Sequence, residues 1–172
     1  MANKFSFSVD VDLTKRLSVM KTEFNRRVVR SAVFAGIKVY RERAANLAPV
    51  YKGPPKKYKS GKPVIPGTLR DSIYNVWVAD KSGEMKQTYT VSWNHPKAGH
   101  GHWIEYGHWY RKTKGGPALK WVPPHSFIRA AEDCIPRVFQ VARERAYQRF
   151  DELLPLLDKE GNLPEFKPEA GS

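Results

Sequence analysis

Apolar residues at Leu13, Leu17, Met20, Phe24, Val28, Ala32, Ala35 and Val39 follow one another at steps of three or four, and the row continues to Ala44 and Leu47. That spacing gathers them on one face of a long amphipathic helix. Asp12 or Thr14 is placed to cap its start, and Arg26, Arg27, Arg30, Lys38, Arg41 and Arg43 decorate it. Pro49 forces Ala48 out of helical geometry and so ends the helix. About 35 residues at ~1.5 Å each span on the order of 50 Å, more than a compact domain of this size needs. Either Gly36 bends the helix or one end projects toward a partner.

The period then shortens. "GTLRDSI" reads as a one-turn capping box in which Thr68 and Asp71 satisfy each other's backbone donors. In "SIYNVWVAD", Tyr74, Val76 and Val78 share one strand face, and Ile73 and Trp77 the other. "QTYTVSW" alternates Tyr89, Val91 and Trp93 with Thr88, Thr90 and Ser92, so the two runs predict a β-hairpin across the "DKSGEM" turn. The stretch "GHGHWIEYGHWY" predicts a third strand. Beyond Ser126, Phe127, Ala130, Ala131 and Cys134 recur helically, and Val138, Val141, Ala142, Ala146, Phe150 and Leu153 resume the stripe after Pro136. This predicts two helices, with Pro136 at the first position of the second. The pattern as a whole predicts an α+β fold, a small antiparallel β-sheet flanked by long N-terminal and C-terminal helices.

Two loops interrupt it. "YKGPPKKYKSGKPVIPG" carries Pro54, Pro55, Pro63 and Pro66, which exclude regular structure, and is loaded with Lys52, Lys56, Lys57, Lys59 and Lys62. "RKTKGGPALK" is a second basic, Gly-rich loop. The organisation expected is one α+β domain over residues 1–157 with an exposed basic loop at 51–66. Residues 158–172, rich in turn formers and mixed charge, read as a flexible tail or docking arm.

Charge narrows the partners. Thirty Lys and Arg against seventeen Asp and Glu give a net charge of +13, which favours nucleic acid, an acidic membrane or an acidic protein surface. No apolar run reaches the roughly 20 residues of a membrane-spanning helix, and the N-terminus lacks the apolar block of a signal peptide, so a cytoplasmic origin without membrane contact is expected. Cys134 is the single cysteine and reads as a small apolar helix residue.

The histidine-rich stretch is the one candidate for metal or catalytic chemistry. On a strand, His100, His102, Ile104, Tyr106 and His108 share one face while Trp103, Glu105 and Trp109 take the other. Two histidines at this spacing could chelate a metal, yet a catalytic zinc takes three protein ligands and Glu105 points away. A nucleophile elbow, an H-E-x-x-H helix, a phosphate loop and a dinucleotide turn are all missing. No cofactor and no turnover are expected. Lys and Arg interleaved with Tyr51, Tyr58, Trp109 and Tyr110 suit phosphate contact and base stacking, so a non-specific nucleic-acid-binding protein using its basic loops is the alternative. Glu105 and Arg129, charges set among Ile104, Tyr106, Phe127 and Ile128, are expected to pair, either within one chain or between copies of it.

Four pieces in order carry a resemblance. They are "APV" at residues 48–50, the turn Gly67, Leu69, Arg70, Ser72 and Ile73, the run Trp103, Ile104, Glu105, Tyr106 and Gly107, and the helix entry Pro124, Phe127, Ile128, Arg129 and Ala131. Over roughly residues 10 to 156 the chain resembles the head-tail joining or tail-completion (neck) proteins of tailed bacteriophages. It departs from them in the lysine-rich insertion after "APV" and in His108, where a small residue is usual.

The resemblance implies a structural virion protein at the head-tail interface, assembled in the host cytoplasm. Its subunits would form a ring, commonly a hexamer, around the channel through which DNA passes. Neighbours would be a portal-adaptor or stopper protein on one side and a tail tube or tail terminator protein on the other. The residues it marks for interface or structure are Leu69, Arg70, Trp103, Glu105, Tyr106, Gly107, Phe127 and Arg129. The lysines of the 51–62 loop are expected to meet either DNA in the lumen or an acidic face of an adjoining ring.

Overall fold

The computed structural model describes residues 22, 24–57, 61, 63–83 and 86–156. The expected start of the first helix at Asp12 or Thr14, Tyr58, Lys59 and Lys62 of the basic loop, and the 158–172 tail lie outside the described residues.

The apolar stripe of the N-terminal half forms a π-helical turn, Asn25–Val29, that leads into helix α1, Arg30–Leu47. Ala48 leaves the helix with extended backbone ahead of Pro49, as expected for a residue before proline. Gly36 lies inside α1, against the C-terminal helix. Helical hydrogen bonding runs unbroken through it, and the departure from α geometry lies at Asn25–Val29 instead. A Cβ on Gly36 would stand 3.0 Å from the Val138 carbonyl oxygen and 3.2 Å from the Ala142 methyl group, so the missing side chain permits close helix packing.

The partner in that packing is the last α-helix among the described residues. A 3-10 segment, Arg129–Cys134, precedes it, and Ile135–Leu153 forms the α-helix with Pro136 in its first turn. The Phe24 ring meets Phe150 edge-on, the Ser31 hydroxyl accepts from Arg145 and Arg149, and Arg43 pairs with Asp133. Low numbers of one helix therefore meet high numbers of the other, and the two run antiparallel.

Between them in sequence, helix α2, Thr68–Asp71, starts at Gly67, whose φ of 84° only glycine adopts readily. The expected capping box is absent here. The Thr68 hydroxyl donates to the Ile65 carbonyl at 2.6 Å, the Asp71 N–H donates to the Gly67 carbonyl, and the Asp71 carboxylate pairs with Arg70. The left-handed Gly67 turns the chain into the helix without a side-chain cap.

Strands β1, Ile73–Trp77, and β2, Tyr89–Trp93, form the expected antiparallel hairpin in the register Ile73↔Trp93, Asn75↔Val91 and Trp77↔Tyr89. This face lies on α1: Tyr89 packs on Phe34 at 5.8 Å and the Arg30 guanidinium stands over Trp77 at 4.6 Å. Tyr74 and Val76, on the other face, stay exposed.

The third strand is not formed as expected. Gly101–Tyr106 is a short helix, α3, and only His108–Tyr110 is extended, as β3, pairing with β4, Lys120–Val122. The described sheets are therefore two separate two-stranded hairpins. The burial pattern gives the reason, because Gly101, Ile104 and Glu105 turn inward while His102, Trp103 and Tyr106 turn outward. Steps of three and one fit a helical turn and break strand alternation. With the C-terminal helix named α4, Ile135–Leu153, the class is α+β, with long helices toward either end of the described chain and small antiparallel sheets between. Ala44, Ala48, Leu69, Ile73, Ala98, Phe127 and Ala131 form the core, joined at its margin by Tyr40, Trp93 and Ile104.

Candidate interaction surface

Among the described residues Glu105 is the one buried carboxylate, with 1% of its surface exposed. Burying it would be costly without partners, and the chain supplies four donors. The backbone N–H groups of Phe127 and Ile128 donate to one oxygen at 2.8 and 3.0 Å. The Arg129 N–H and Nε donate to the other, both at 3.1 Å. These N–H groups open the Arg129–Cys134 turn, where no intrahelical acceptor exists, so Glu105 caps a helical segment that lies more than twenty residues downstream.

The pairing expected between Glu105 and Arg129 is thus present, and it is braced on all sides. Arg129 also donates to the Glu105 carbonyl at 2.6 Å and to the Ser126 hydroxyl at 2.8 Å, and it lies 5.0 Å over the Tyr106 ring. Ser126 in turn donates to the Glu105 carbonyl, and the Tyr40 hydroxyl donates to the Ile128 carbonyl. Burial pushes the Glu105 carboxyl up, but the three backbone donors and Arg129 outweigh it and hold the group below the usual carboxylate range. With both oxygens occupied by donors, Glu105 is an ionised acceptor that ties α3 to the start of the C-terminal helical region.

Outward from this clamp lies an aromatic and basic surface. Trp103, Tyr106, Trp109, Tyr110, Leu119 and Trp121 are each at least 41% exposed. Trp109 and Trp121 face each other across the β3–β4 hairpin at 5.5 Å, and Trp103 packs on His108 at 5.7 Å. Residues 106–125 contain no acidic residue and carry Arg111, Lys112, Lys114 and Lys120. Exposed Trp and Tyr beside Arg are the side chains that most often anchor protein interfaces.

Gly107 makes the junction between clamp and hairpin. Its φ of 75° with ψ of 170° is a glycine conformation, and a Cβ would lie 2.8 Å from Trp121 and 2.9 Å from the Val122 carbonyl oxygen. Leu69 and Phe127 are core residues, whereas Arg70 is exposed beside Asp71 and takes no part in the clamp. Lys52, Lys56 and Lys57 are exposed on a loop whose base is closed by the Lys57–Pro63 bridge and by the Val64 N–H donating to the Lys56 carbonyl at 2.8 Å. Sequence reasoning missed Ser126, Tyr40 and Trp121. Trp121 stands twelve residues from Trp109 across a Gly-Gly turn, a spacing that signals a second hairpin.

The histidines take positions unlike those expected of a strand. His100 is half-buried, and burial lowers its pKa. His102 is exposed against Tyr106 at 4.9 Å, and Glu105 is turned inward from it. Among the described residues no group of three or more His, Cys, Asp or Glu is placed to hold a metal ion, and no helix is long and apolar enough to cross a membrane. Set against protein-family models, curated proteins and solved structures, the chain matches none of them.

Proposed function

We propose that this chain is a ring-forming head-tail connector subunit of a tailed bacteriophage, joining the portal-adaptor assembly to the tail around the DNA channel. Its work in this reading is binding and sealing, without turnover. One observation carries it: the four pieces of the resemblance, far apart in sequence, converge on one core. Ala48 of "APV", Leu69 and Ile73 of the turn, and Phe127 and Ala131 of the helix entry belong to the same buried cluster. Glu105 of "WIEYG" is bonded to the backbone of Phe127 and Arg129. The exposed aromatic hairpin supports the same reading, since so much apolar surface suits a subunit whose neighbours cover it.

The test is assembly. Extracts of infected cells lacking this chain should accumulate filled heads and separate tails, and the purified protein should restore joined particles. Joined, infectious particles formed without it would overturn the proposal. The basic charge favours one other reading, a non-specific nucleic-acid-binding protein, supported by the acid-free run of residues 106–125. That reading requires the isolated monomer to bind free duplex with an affinity that falls steeply with salt. A connector binds free DNA weakly and assembles.

A further inference from the structure

On the C-terminal half of α4, Glu144, Tyr147, Asp151 and Leu154 follow one another at steps of three and four, so they share one helix face, with Phe150 beside them. Tyr147, Phe150 and Leu154 are 65, 42 and 47% exposed. The basic side chains of this stretch, Arg145 and Arg149, are half-buried instead: both donate to the Ser31 hydroxyl and both pair with Glu152. Glu144 and Asp151 are exposed and form no ion pair among the described residues. A chain of net charge +13 thus presents here an apolar stripe edged by two carboxylates that lack a cation.

The β3–β4 hairpin is the counterpart of that face. Its exposed Trp109, Tyr110, Leu119 and Trp121 stand among exposed Lys112, Lys114 and Lys120, with no acidic residue from 106 to 125. Its connecting loop is held in shape, because Arg111 donates to the Gly116 carbonyl and the Leu119 N–H donates to the Tyr110 carbonyl at 3.0 Å. Stacking on bases needs open, parallel ring faces, whereas Trp109 and Trp121 meet edge to face at 62°. Insertion into a bilayer would carry the tip residues Arg111, Lys112 and Lys114 in ahead of the rings on the strands, at a high cost in charge burial. An apolar protein surface edged by carboxylates covers the rings and answers the lysines together.

The chain itself carries such a surface, and its own hairpin does not use it. The hairpin springs from the Glu105 clamp, which holds the start of the C-terminal helical region. Residues 144–153 occupy the other half of α4, from about 14 to 27 Å beyond Ile135 at ~1.5 Å per residue. Among the described residues no hydrogen bond, ion pair or ring contact joins the hairpin to that half. Both surfaces are therefore left open in the single chain.

We propose that the β3–β4 hairpin of one copy docks on residues 144–154 of a second copy, its rings against Tyr147, Phe150 and Leu154 and its lysines against Glu144 and Asp151. Two different patches of one chain that meet each other make a head-to-tail contact, which adds copies until a ring closes. The inference goes beyond the connector reading, because it concerns how copies associate whatever they join.

The test is charge reversal in the full chain, at exposed positions where folding is insensitive to substitution. One variant carries Lys112→Glu, Lys114→Glu and Lys120→Glu, a second carries Glu144→Lys and Asp151→Lys, and a third carries all five. Sedimentation equilibrium of the purified chains reads association, and circular dichroism checks that each is folded. The wild-type chain should be oligomeric, with association that weakens as salt is raised. The first and second variants should each associate about tenfold more weakly or worse, and the third should recover the wild-type oligomer because the two signs have been exchanged. An equal mixture of the first two should also associate, each supplying the sign that the other lacks.

A monomeric wild-type chain would overturn the proposal, and so would full association in both reversal variants. A folded third variant that stays dissociated would overturn it as well, since the two surfaces would then meet something other than each other. Binding of duplex DNA or of anionic lipid vesicles by a monomeric wild-type chain, lost in the first variant, would give the hairpin to nucleic acid or lipid instead. Association is read on the purified chain, so this outcome is independent of the head-tail joining assay.

Discussion

The Glu105 carboxylate and the Arg129 guanidinium lie 3.1 Å apart, yet one is buried and the other is half in solvent. The asymmetry predicts unequal consequences. Replacing Arg129 with Met leaves Glu105 with its three backbone donors and should cost about 1–2 kcal/mol. Glu105→Gln keeps one acceptor oxygen but turns an NH₂ group toward backbone donors, and should cost about 2–3 kcal/mol. Glu105→Ala leaves the N–H groups of Phe127, Ile128 and Arg129 unsatisfied beside a cavity, and should cost about 3–5 kcal/mol. Urea denaturation of the three variants should give that order. An equal cost for Arg129→Met and Glu105→Ala would show that the ion pair, rather than the cap, holds the segment.

The same carboxylate sets an acid limb of stability. Its folded-state pKa is depressed, so its contribution is fully present above the unfolded value, about 4.3, and is lost as pH falls through the lower folded value. Asp133 is depressed in the same direction by its hydrogen bond to Arg43, but it is exposed and contributes less. The stability of the wild-type chain should therefore fall with acid from about pH 4.3 downward, and Glu105→Gln should flatten that fall. Denaturation midpoints between pH 3 and 7 measure it, and an unchanged acid slope in the variant would contradict the assignment.

How much of this was legible beforehand depended on what each signal reports. The β1–β2 hairpin, the break at Pro136 and the part of the stripe from Phe24 to Leu47 follow from periodicity and backbone chemistry, and each appears in place among the described residues. The Glu105–Arg129 pair was legible because a charge among apolar neighbours requires a partner. The misreading of residues 101–106 came from assigning a period to a short aromatic run. Six residues hold too few turns to separate two periods, and Gly107, which ends α3 and redirects the chain, was the feature that distinguished them. The role of Gly36 was hidden because close approach is a property of two helices, and α1 alone carries no record of α4. The Thr68–Asp71 spacing satisfied the pattern of a capping box, but the positive φ of Gly67 supplied another way into the helix.

Gly107 should tolerate no side chain. Alanine there meets two penalties together, a positive φ and contacts under 3.0 Å with Trp121 and the Val122 carbonyl oxygen. Gly107→Ala should destabilise by about 2–4 kcal/mol, and near-ultraviolet circular dichroism of the Trp109–Trp121 pair should weaken even where the chain stays folded. By contrast Gly83→Ala, where a Cβ meets nothing within 4 Å, should leave both signals within error. Equal behaviour of the two variants would mean that the β3–β4 hairpin is not locked to α3 through this residue.

The lysines of the 51–62 loop allow function to be separated from folding. Lys52, Lys56 and Lys57 are exposed and form none of the described ion pairs, and Lys59 and Lys62 complete the charge of the loop. Substituting all five with Gln removes five positive charges, and Lys52, Lys56 and Lys57 lie outside the core, so stability should move by less than about 1 kcal/mol. On the proposed connector reading the same variant should join heads to tails poorly, because the loop loses its attraction to an anionic surface, either DNA in the channel or an acidic face of an adjoining ring. Raising the salt concentration should weaken joining by the wild-type protein toward the level of the variant, since screening acts on the same charges. Joining that is normal in the variant and indifferent to salt would remove the loop from the interface.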